Sequence, residues 1–428
     1  MNENYWSEHW TKEKIKAMVL EQFQAFWRRD TGIHRQSLVQ VQAAIGSRHA
    51  VIISGLRRAG KSTLLAQLAH HLGEANFYYL NCEDDRLLGF QAGDFDGVFQ
   101  VLAELFGDRK IFLVDEIQSI PGWEHFVRRF MDLGYKFFIT GSNASLLSRE
   151  LGSRLTGRYL TIELFPFSFL EFLQFGEIEI PDLNRMTTVD SARLNHLLSE
   201  YLRLGGIPEP LRYPELPLLR YLYDDVLNRD IAARYHIEEV RALRELAFYL
   251  MSNPASLISF NKLKAHLQLG SVNTIRNYIS YLEDSWLFFL TNVYDYSVKR
   301  QQIAPKKIYA IDCGMINAVG FSFSRNAGKL LENLVYLALR QKYQEIYYLQ
   351  HPNKYDVDFF LPQHGQFFQV SQDMNNPATR EREIRSLKEA MNTFNLPTGT
   401  ILTMADGPSV RINKRVIEIR STARWLLE

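Results

Sequence analysis

The sequence predicts an α/β chain: a parallel sheet flanked by helices, then a helical region and a second α/β region. Three observations carry this expectation. From about residue 48, short apolar runs alternate with helical stretches. A glycine-containing turn, Gly55 to Ser62, joins the first apolar run to a helix. A third run ends in two adjacent carboxylates, Asp115 and Glu116.

The elements follow in order. Residues 4–30 carry Ile15, Met18, Val19, Phe23, Phe26 and Trp27 near helical spacing, which predicts one or two amphipathic helices. Val51–Ile53, Phe77–Leu80, Ile111–Val114 and Phe137–Thr140 are short buried strands, and Tyr159–Leu164 is a fifth. Pro166 marks a change of texture. Phe167–Phe175 is an amphipathic helix, and helices run from Ser191 to Leu250, broken at Gly205-Gly206-Ile207-Pro208. The predicted division is an N-terminal helical segment (1–35), a sheet core (36–165) and a helical lid or linker (166–250). A helix–turn–helix module (251–324) and a C-terminal α/β domain (325–428) complete it.

Composition bounds the function classes. Of 428 residues, 46% are hydrophobic and 23% charged, which excludes a fibrous or wholly disordered chain. Lys plus Arg is 49 against 48 for Asp plus Glu, so no overall basic excess points to a polyanion. Two cysteines, Cys82 and Cys313, cannot build a disulfide framework or a four-cysteine zinc site. The N-terminus lacks a basic-then-apolar leader, and the apolar runs are too short to span a bilayer. The expectation is a soluble, cytoplasmic protein with no membrane partner.

The turn Gly55-Leu56-Arg57-Arg58-Ala59-Gly60-Lys61-Ser62 matches G-x-x-x-x-G-K-[ST] at every fixed position, between a strand and the helix that begins near Thr63. Glycines let the backbone curl so that its N–H groups, with the helix N-terminus, face phosphate oxygens. Arg57, Arg58, Ala59 and Thr63 complete the expected cradle. Lys61 is placed to reach β- and γ-phosphates and the Ser62 hydroxyl to coordinate Mg²⁺. At the end of Lys110–Val114, Asp115 is the second expected Mg²⁺ partner and Glu116 the general base that polarises water. ATP and Mg²⁺ are thus the expected ligands. The candidate strand Phe77–Leu80, intervening between the two motif strands, predicts the additional-strand, catalytic-glutamate class of ATPases. Ser142 and Asn143, after the fourth strand, are candidates to sense the γ-phosphate. Arg149, Arg154 and Arg158 follow. An arginine presented by a neighbouring subunit stabilises transition-state charge in such sites, and Arg154 and Arg158 are the favoured two.

These segments resemble the bacterial and archaeal AAA-type ATPases that pair an N-terminal P-loop domain with a C-terminal domain of unknown function. The resemblance rests on the P-loop, on Tyr-Leu-Asn-Cys-Glu-Asp-Asp-Arg-Leu (79–87), on Leu-Val-Asp-Glu-Ile-Gln (113–118), on Ile-Thr-Gly-Ser-Asn-Ala-Ser-Leu-Leu (139–147) and on Leu-Thr-Gly-Arg (155–158). Phe-Pro-Phe-Ser-Phe-Leu-Glu-Phe (165–172) and Gly-Gly-Ile-Pro-Glu (205–209) are more family-specific. It covers most of the chain and implies ATP binding and hydrolysis to ADP and phosphate, but no biological role. The paired motifs themselves motivate the expectation of a nucleotide-driven switch or remodeller.

Two further modules are expected. Helices over Ser259–Leu267 and Val272–Asp284, then strands at Trp286–Tyr294 and Ile308–Ile311 around Lys299-Arg300 and Lys306-Lys307, resemble a winged helix with a basic hairpin. If it binds DNA, Asn273, Arg276 and Asn277 face the groove and Lys299 and Arg300 meet phosphates; otherwise its partner is protein, a second copy or another chain. Residues 328–392 resemble a PD-(D/E)XK nuclease-like domain. Glu332 and Asp358 match its carboxylates, but Gln369 stands at the acidic position and Ser371 at the lysine position. An amide is a poor substitute for a carboxylate on a hard cation. The domain is therefore expected to be degenerate, without nuclease activity unless a displaced basic residue such as Lys388 compensates.

Overall fold

A computed structural model describes residues 10–142, 157–268, 271–321, 327–351 and 355–428. The chain divides into two compact units, with the break between Leu164 and Phe165.

The first unit begins with α1 (Lys12–Trp27) and α2 (Leu38–Ala43) and continues through β1 (Ala50–Ser54), α3 (Lys61–Leu72) and β2 (Phe77–Asn81). Then come α4 (Phe95–Phe106), β3 (Ile111–Asp115), α5 (Trp123–Asp132), β4 (Lys136–Gly141) and β5 (Tyr159–Glu163). All five strands are parallel, in the order β2-β3-β4-β1-β5. The strand separating β1 from β3 is β4, not Phe77–Asn81, which lies on the outer side of β3. An additional strand is present as expected, but a different segment supplies it.

Alternation along each strand builds two cores. Ile52, Leu80, Phe112, Val114, Phe137 and Ile139 pack into one apolar cluster. Val51, Ile53, Tyr79, Leu113 and Phe138 join the other, on the opposite face. The first contains stacked aromatic pairs: Phe112 stacks on Phe137 at 4.8 Å and Phe95 on Phe126 at 4.1 Å. Such pairs add about 1 kcal/mol each beyond their burial. Helix α1 starts at Thr11, whose hydroxyl accepts from Lys14 N, and it covers the exposed edge of β2. Phe26 stacks on Tyr79 at 3.7 Å. The Gln22 amide donates to Asn81 O at 3.2 Å and accepts from Asn81 N at 2.9 Å, filling the edge strand's free groups.

The second unit opens with helices: α6 (Phe169–Phe175), α7 (Thr188–Leu204), α8 (Pro208–Arg212), α9 (Leu218–Asp225) and α10 (Val240–Ser252). They are followed by β6 (Ser256–Ile258), α11 (Phe260–His266), α12 (Val272–Asp284), β7 (Phe288–Val293), α13 (Val298–Ile303) and β8 (Lys306–Ala310). The remainder is α14 (Cys313–Val319), α15 (Ala327–Lys342), β9 (Tyr347–His351), β10 (Tyr355–Leu361), β11 (Gln366–Val370), α16 (Pro377–Phe394), β12 (Thr398–Thr403), β13 (Gly407–Ile412), β14 (Arg415–Ser421) and α17 (Thr422–Trp425). The strands form one mixed sheet, β13-β14-β12-β11-β10-β9-β7-β8-β6. The parallel pairing of β7 with β9 makes the strands near the helix–turn–helix continuous with the C-terminal ones.

The two family-specific segments meet in this unit. Phe167 N donates to Gly206 O at 2.7 Å, and Tyr201 Oη donates to Phe167 O. Gly205 has φ +79°, and a Cβ there would sit 2.2 Å from Asp312 Oδ1. The glycine pair thus lets the buried Asp312 carboxylate reach in, accepting from Gly206 N and capping α14 at Met315 N. Both cysteines are buried, free thiols. Among the described residues, no helix is long and apolar enough to cross a membrane.

Candidate nucleotide site and the C-terminal pocket

The ends of β1, β3 and β4 lie side by side, so the P-loop, Asp115-Glu116 and Gly141-Ser142 share one edge of the sheet. A Cβ on Gly55 would lie 2.2 Å from Leu164 O, so only glycine fits there. The loop turns through left-handed conformations at Arg58 (φ +63°) and Gly60 (φ +97°), the second residue serving as N-cap of α3. Buried Arg35 braces it by donating to Ala59 O at 2.8 Å. Arg57 pairs with Glu83 at 3.4 Å, Arg58 is exposed, and Thr63 is half-buried in the first turn of α3.

Lys61 is folded back on the loop. Its Nζ donates to Gly55 O at 3.1 Å and Leu56 O at 3.2 Å, and lies 3.6 Å from Glu116 Oε1. Glu116 has left-handed backbone (φ +51°), which turns its side chain out of the strand direction. Burial pushes its carboxyl up, but Lys61, Gln118 and Arg57 outweigh this and hold it below the usual glutamate value. Asp115 is buried, and the neighbouring Ser62 hydroxyl favours its charged form. Desolvation, with Glu116 alongside, pushes its carboxyl up.

Thr140 ties these groups together. Its hydroxyl donates to Asp115 Oδ1 and accepts from Glu116 N at 2.9 Å. Tyr79 Oη donates to Asp115 Oδ2 at 3.4 Å. Gln118 donates to Glu116 Oε2 and, at 3.5 Å, to the buried Ser142 hydroxyl. The sequence motifs single out Ser142 but assign no role to Arg35, Tyr79, Gln118 or Thr140. Tyr79, Gln118 and Thr140 do lie inside the family-like segments; Arg35 lies outside all of them.

Asn143, Arg149 and Arg154 lie outside the described residues. Arg158 is not at the phosphate edge. Its carbonyl accepts from Ala50 N at the start of β1, and its side chain pairs with Asp132 at 2.6 Å. The length of β1, roughly 16 Å at about 3.3 Å per residue, separates it from its own P-loop.

On α12, Asn273, Arg276 and Asn277 are all exposed, and Arg276 lies over the Phe260 ring at 5.8 Å. Lys299 and Arg300 are exposed, but they lie on helix α13 and not on a hairpin arm, and Arg300 pairs with Asp295. The expected basic hairpin is corrected in one further respect: Lys306 and Lys307 belong to β8 and turn inward. Lys306 donates to Asn292 Oδ1 and Gln301 O, both at 2.5 Å. Buried Lys307 donates to Glu332 Oε1 and to Asp358 Oδ1, both at 2.8 Å. Burial alone would lower its pKa, but Asp358 and Glu332 outweigh burial and hold it above the ordinary lysine value.

A basic group therefore does meet Glu332 and Asp358, and it is Lys307 rather than Lys388. Tyr309 Oη also donates to Glu332 Oε1, at 2.9 Å. Gln369 accepts from Asp358 N at 3.2 Å and donates to Glu383 Oε2 at 2.7 Å. Buried Ser371 donates to Asp373 O at 3.4 Å. Glu332, Asp358, Gln369 and Glu383 line a pocket of about 1270 Å³.

Comparison with known proteins places these features. A family model described as an AAA domain matches residues 47–173, and one described as a domain of unknown function (DUF8612) matches residues 195–326. An uncharacterized protein of Methanocaldococcus jannaschii is 33% identical over 395 residues, covering 88% of this chain and 88% of that one. An uncharacterized protein of Haemophilus influenzae is 31% identical over 309 residues, covering 68% of this chain and 74% of that one. Among solved structures, the Aeropyrum pernix Orc1 protein in complex with DNA is similar at 12% identity and TM-score 0.29, covering 69% of this chain and 95% of that chain. A likeness that low does not bear on function.

Proposed function

The chain belongs to the family of AAA-type P-loop ATPases with a C-terminal domain of unknown function that includes the Methanocaldococcus jannaschii relative, and we propose that it is a Mg²⁺-dependent ATPase serving as a nucleotide-driven switch for its C-terminal modules. One observation carries the proposal: the Glu116 carboxylate stands 3.6 Å from Lys61 Nζ, at the strand edge where Ser62 and Asp115 also lie.

In this reading the N–H groups of residues 55–63 and the N-terminus of α3 hold the phosphates. Lys61 leaves the Gly55 and Leu56 carbonyls for phosphate oxygens. Glu116 takes a proton from water as the water oxygen bonds to the γ-phosphorus. The bond from that phosphorus to the bridging oxygen breaks, giving ADP and phosphate. Thr140 orients Asp115 and Glu116 together. Ser62 and Asp115 offer the hard oxygen donors Mg²⁺ requires, and the desolvated Asp115 carboxyl suits a cation; the ion, when bound, neutralises phosphate charge. Arg158 would reach phosphates only in a second copy of the chain.

ATP binding and phosphate release, measured for the wild type and Lys61→Ala, test the proposal. Binding and release in the wild type, both lost in the variant, are expected. A wild type that neither binds ATP nor releases phosphate would sink it.

The exposed trio Asn273, Arg276 and Asn277 on α12 supports a second reading, nucleotide-gated DNA binding. Duplex affinity that falls steeply with salt is its signature. Absence of binding at low salt would eliminate it.

A further inference from the structure

The C-terminal pocket holds its own cation. Glu332 on α15 and Asp358 on β10 converge at the positions where the nuclease-like resemblance would seat a divalent metal. Lys307, from β8, occupies the space between them at 2.8 Å from an oxygen of each. All three groups are buried or nearly so. The arrangement is tied down from every side. Tyr309 Oη donates to the same Glu332 oxygen, and Val370 N donates to the other Asp358 oxygen at 2.9 Å.

A small divalent cation requires several oxygen donors at about 2.1 Å. It cannot take both carboxylates while an ammonium sits 2.8 Å from each. The third donor is also missing. Gln369 presents its amide N–H to one oxygen of Glu383 and Arg382 donates to the other, so both oxygens of that carboxylate are engaged. Among the described residues no group of three or more His, Cys, Asp or Glu is arranged to hold a metal ion. Lack of access does not explain this, because Glu332 and Asp358 line the large pocket.

We infer that Lys307 is the fixed counter-ion of this pocket, standing where a divalent cation would bind, so that the C-terminal domain works without metal and becomes a metal site only when Lys307 is removed. The lysine is thus not a displaced catalytic residue awaiting a metal. It is the substitute for the metal, and it joins β8, α15 and β10 through one buried charge cluster.

Mn²⁺ binding to the nucleotide-free full-length chain, followed by the spectroscopic signal of free Mn²⁺, tests this directly. The comparison uses wild type, Asp358→Asn, Lys307→Ser and the double variant. Wild type and Asp358→Asn are expected to bind equally, since neither offers the site. Lys307→Ser is expected to bind one additional equivalent, lost again in the double variant. An Asp358-dependent Mn²⁺ site in the wild type would overturn the inference, as would Mn²⁺-dependent DNA cleavage abolished by Asp358→Asn. A folded Lys307→Ser chain that gains no site would also overturn it. Should Lys307→Ser fail to fold, the wild type and Asp358→Asn pair decides alone: equal binding upholds the inference and unequal binding ends it.

Discussion

Lys61 Nζ lies 3.6 Å from Glu116 Oε1, with both side chains largely buried. The lysine proposed to hold phosphate therefore holds the proposed general base instead, and it is also hydrogen-bonded to two carbonyls of its own loop. Incoming phosphates compete for the same ammonium. Nucleotide binding and the freeing of Glu116 are thus one event in the proposed cycle, because the ion pair and the phosphate contact cannot both be made at full strength.

Arg35 is the brace of the P-loop. Arg35→Ala leaves Ala59 O without its donor and removes a buried side chain. Nucleotide affinity is expected to fall about tenfold, and chemical denaturation to show a loss of about 2 kcal/mol in the first unit. Unchanged affinity would show that the loop keeps its shape without the brace.

Thr140 connects Asp115 to Glu116 through a single hydroxyl. Thr140→Val keeps the volume and loses both bonds. The phosphate-release rate is expected to drop about a hundredfold, the scale of losing one preorganised polar contact, while nucleotide affinity changes little. Thr140→Ser is expected to restore most of the rate. Equal rates in all three proteins would remove Thr140 from the site.

Gly205 has no room for a side chain, since a Cβ would meet Asp312 Oδ1 at 2.2 Å from a backbone at φ +79°. Gly205→Ala is expected to destabilise the second unit by about 3 kcal/mol, read by urea denaturation. A loss of a few tenths would mean that Asp312 moves aside freely.

Burial pushes Asp312 up to about 6, with the backbone donors Gly206, Met315 and Gly314 offsetting part of the rise. A raised folded-state value means that the folded protein binds the proton more tightly. Its contribution to stability is full below the unfolded value of 3.8 and is lost as pH rises through about 6. Asp312→Asn should flatten this part of the stability profile, measured by denaturation at several pH values across the window. An unchanged slope would contradict the assignment.

The nucleotide site was legible because its signals are local. Strand, turn and helix around Gly55–Ser62 follow from contiguous residues, as does the strand ending in Asp115. The order of strands was not, because insertion of Lys136–Gly141 between β1 and β3 depends on long-range pairing. Supporting residues such as Arg35 act across distances in sequence that no motif encodes. Lys307 falls outside the strand that the apolar run predicts, Ile308–Ile311, whereas β8 begins at Lys306. With the correct start, Lys307 and Tyr309 fall on one face, two positions apart, and both reach Glu332. Gly205-Gly206 was visible as a motif, but its reason, the approach of Asp312 from 106 residues away, appears only in three dimensions.

The central claim is that Glu116 activates water but is not needed to bind ATP. Single-turnover phosphate release at saturating ATP, with affinity measured on the same samples, tests this for the wild type and Glu116→Gln. The expected result is release slowed by at least about a hundredfold with affinity retained or increased, since the amide keeps the shape but cannot take a proton. Equal release from both proteins would contradict the claim.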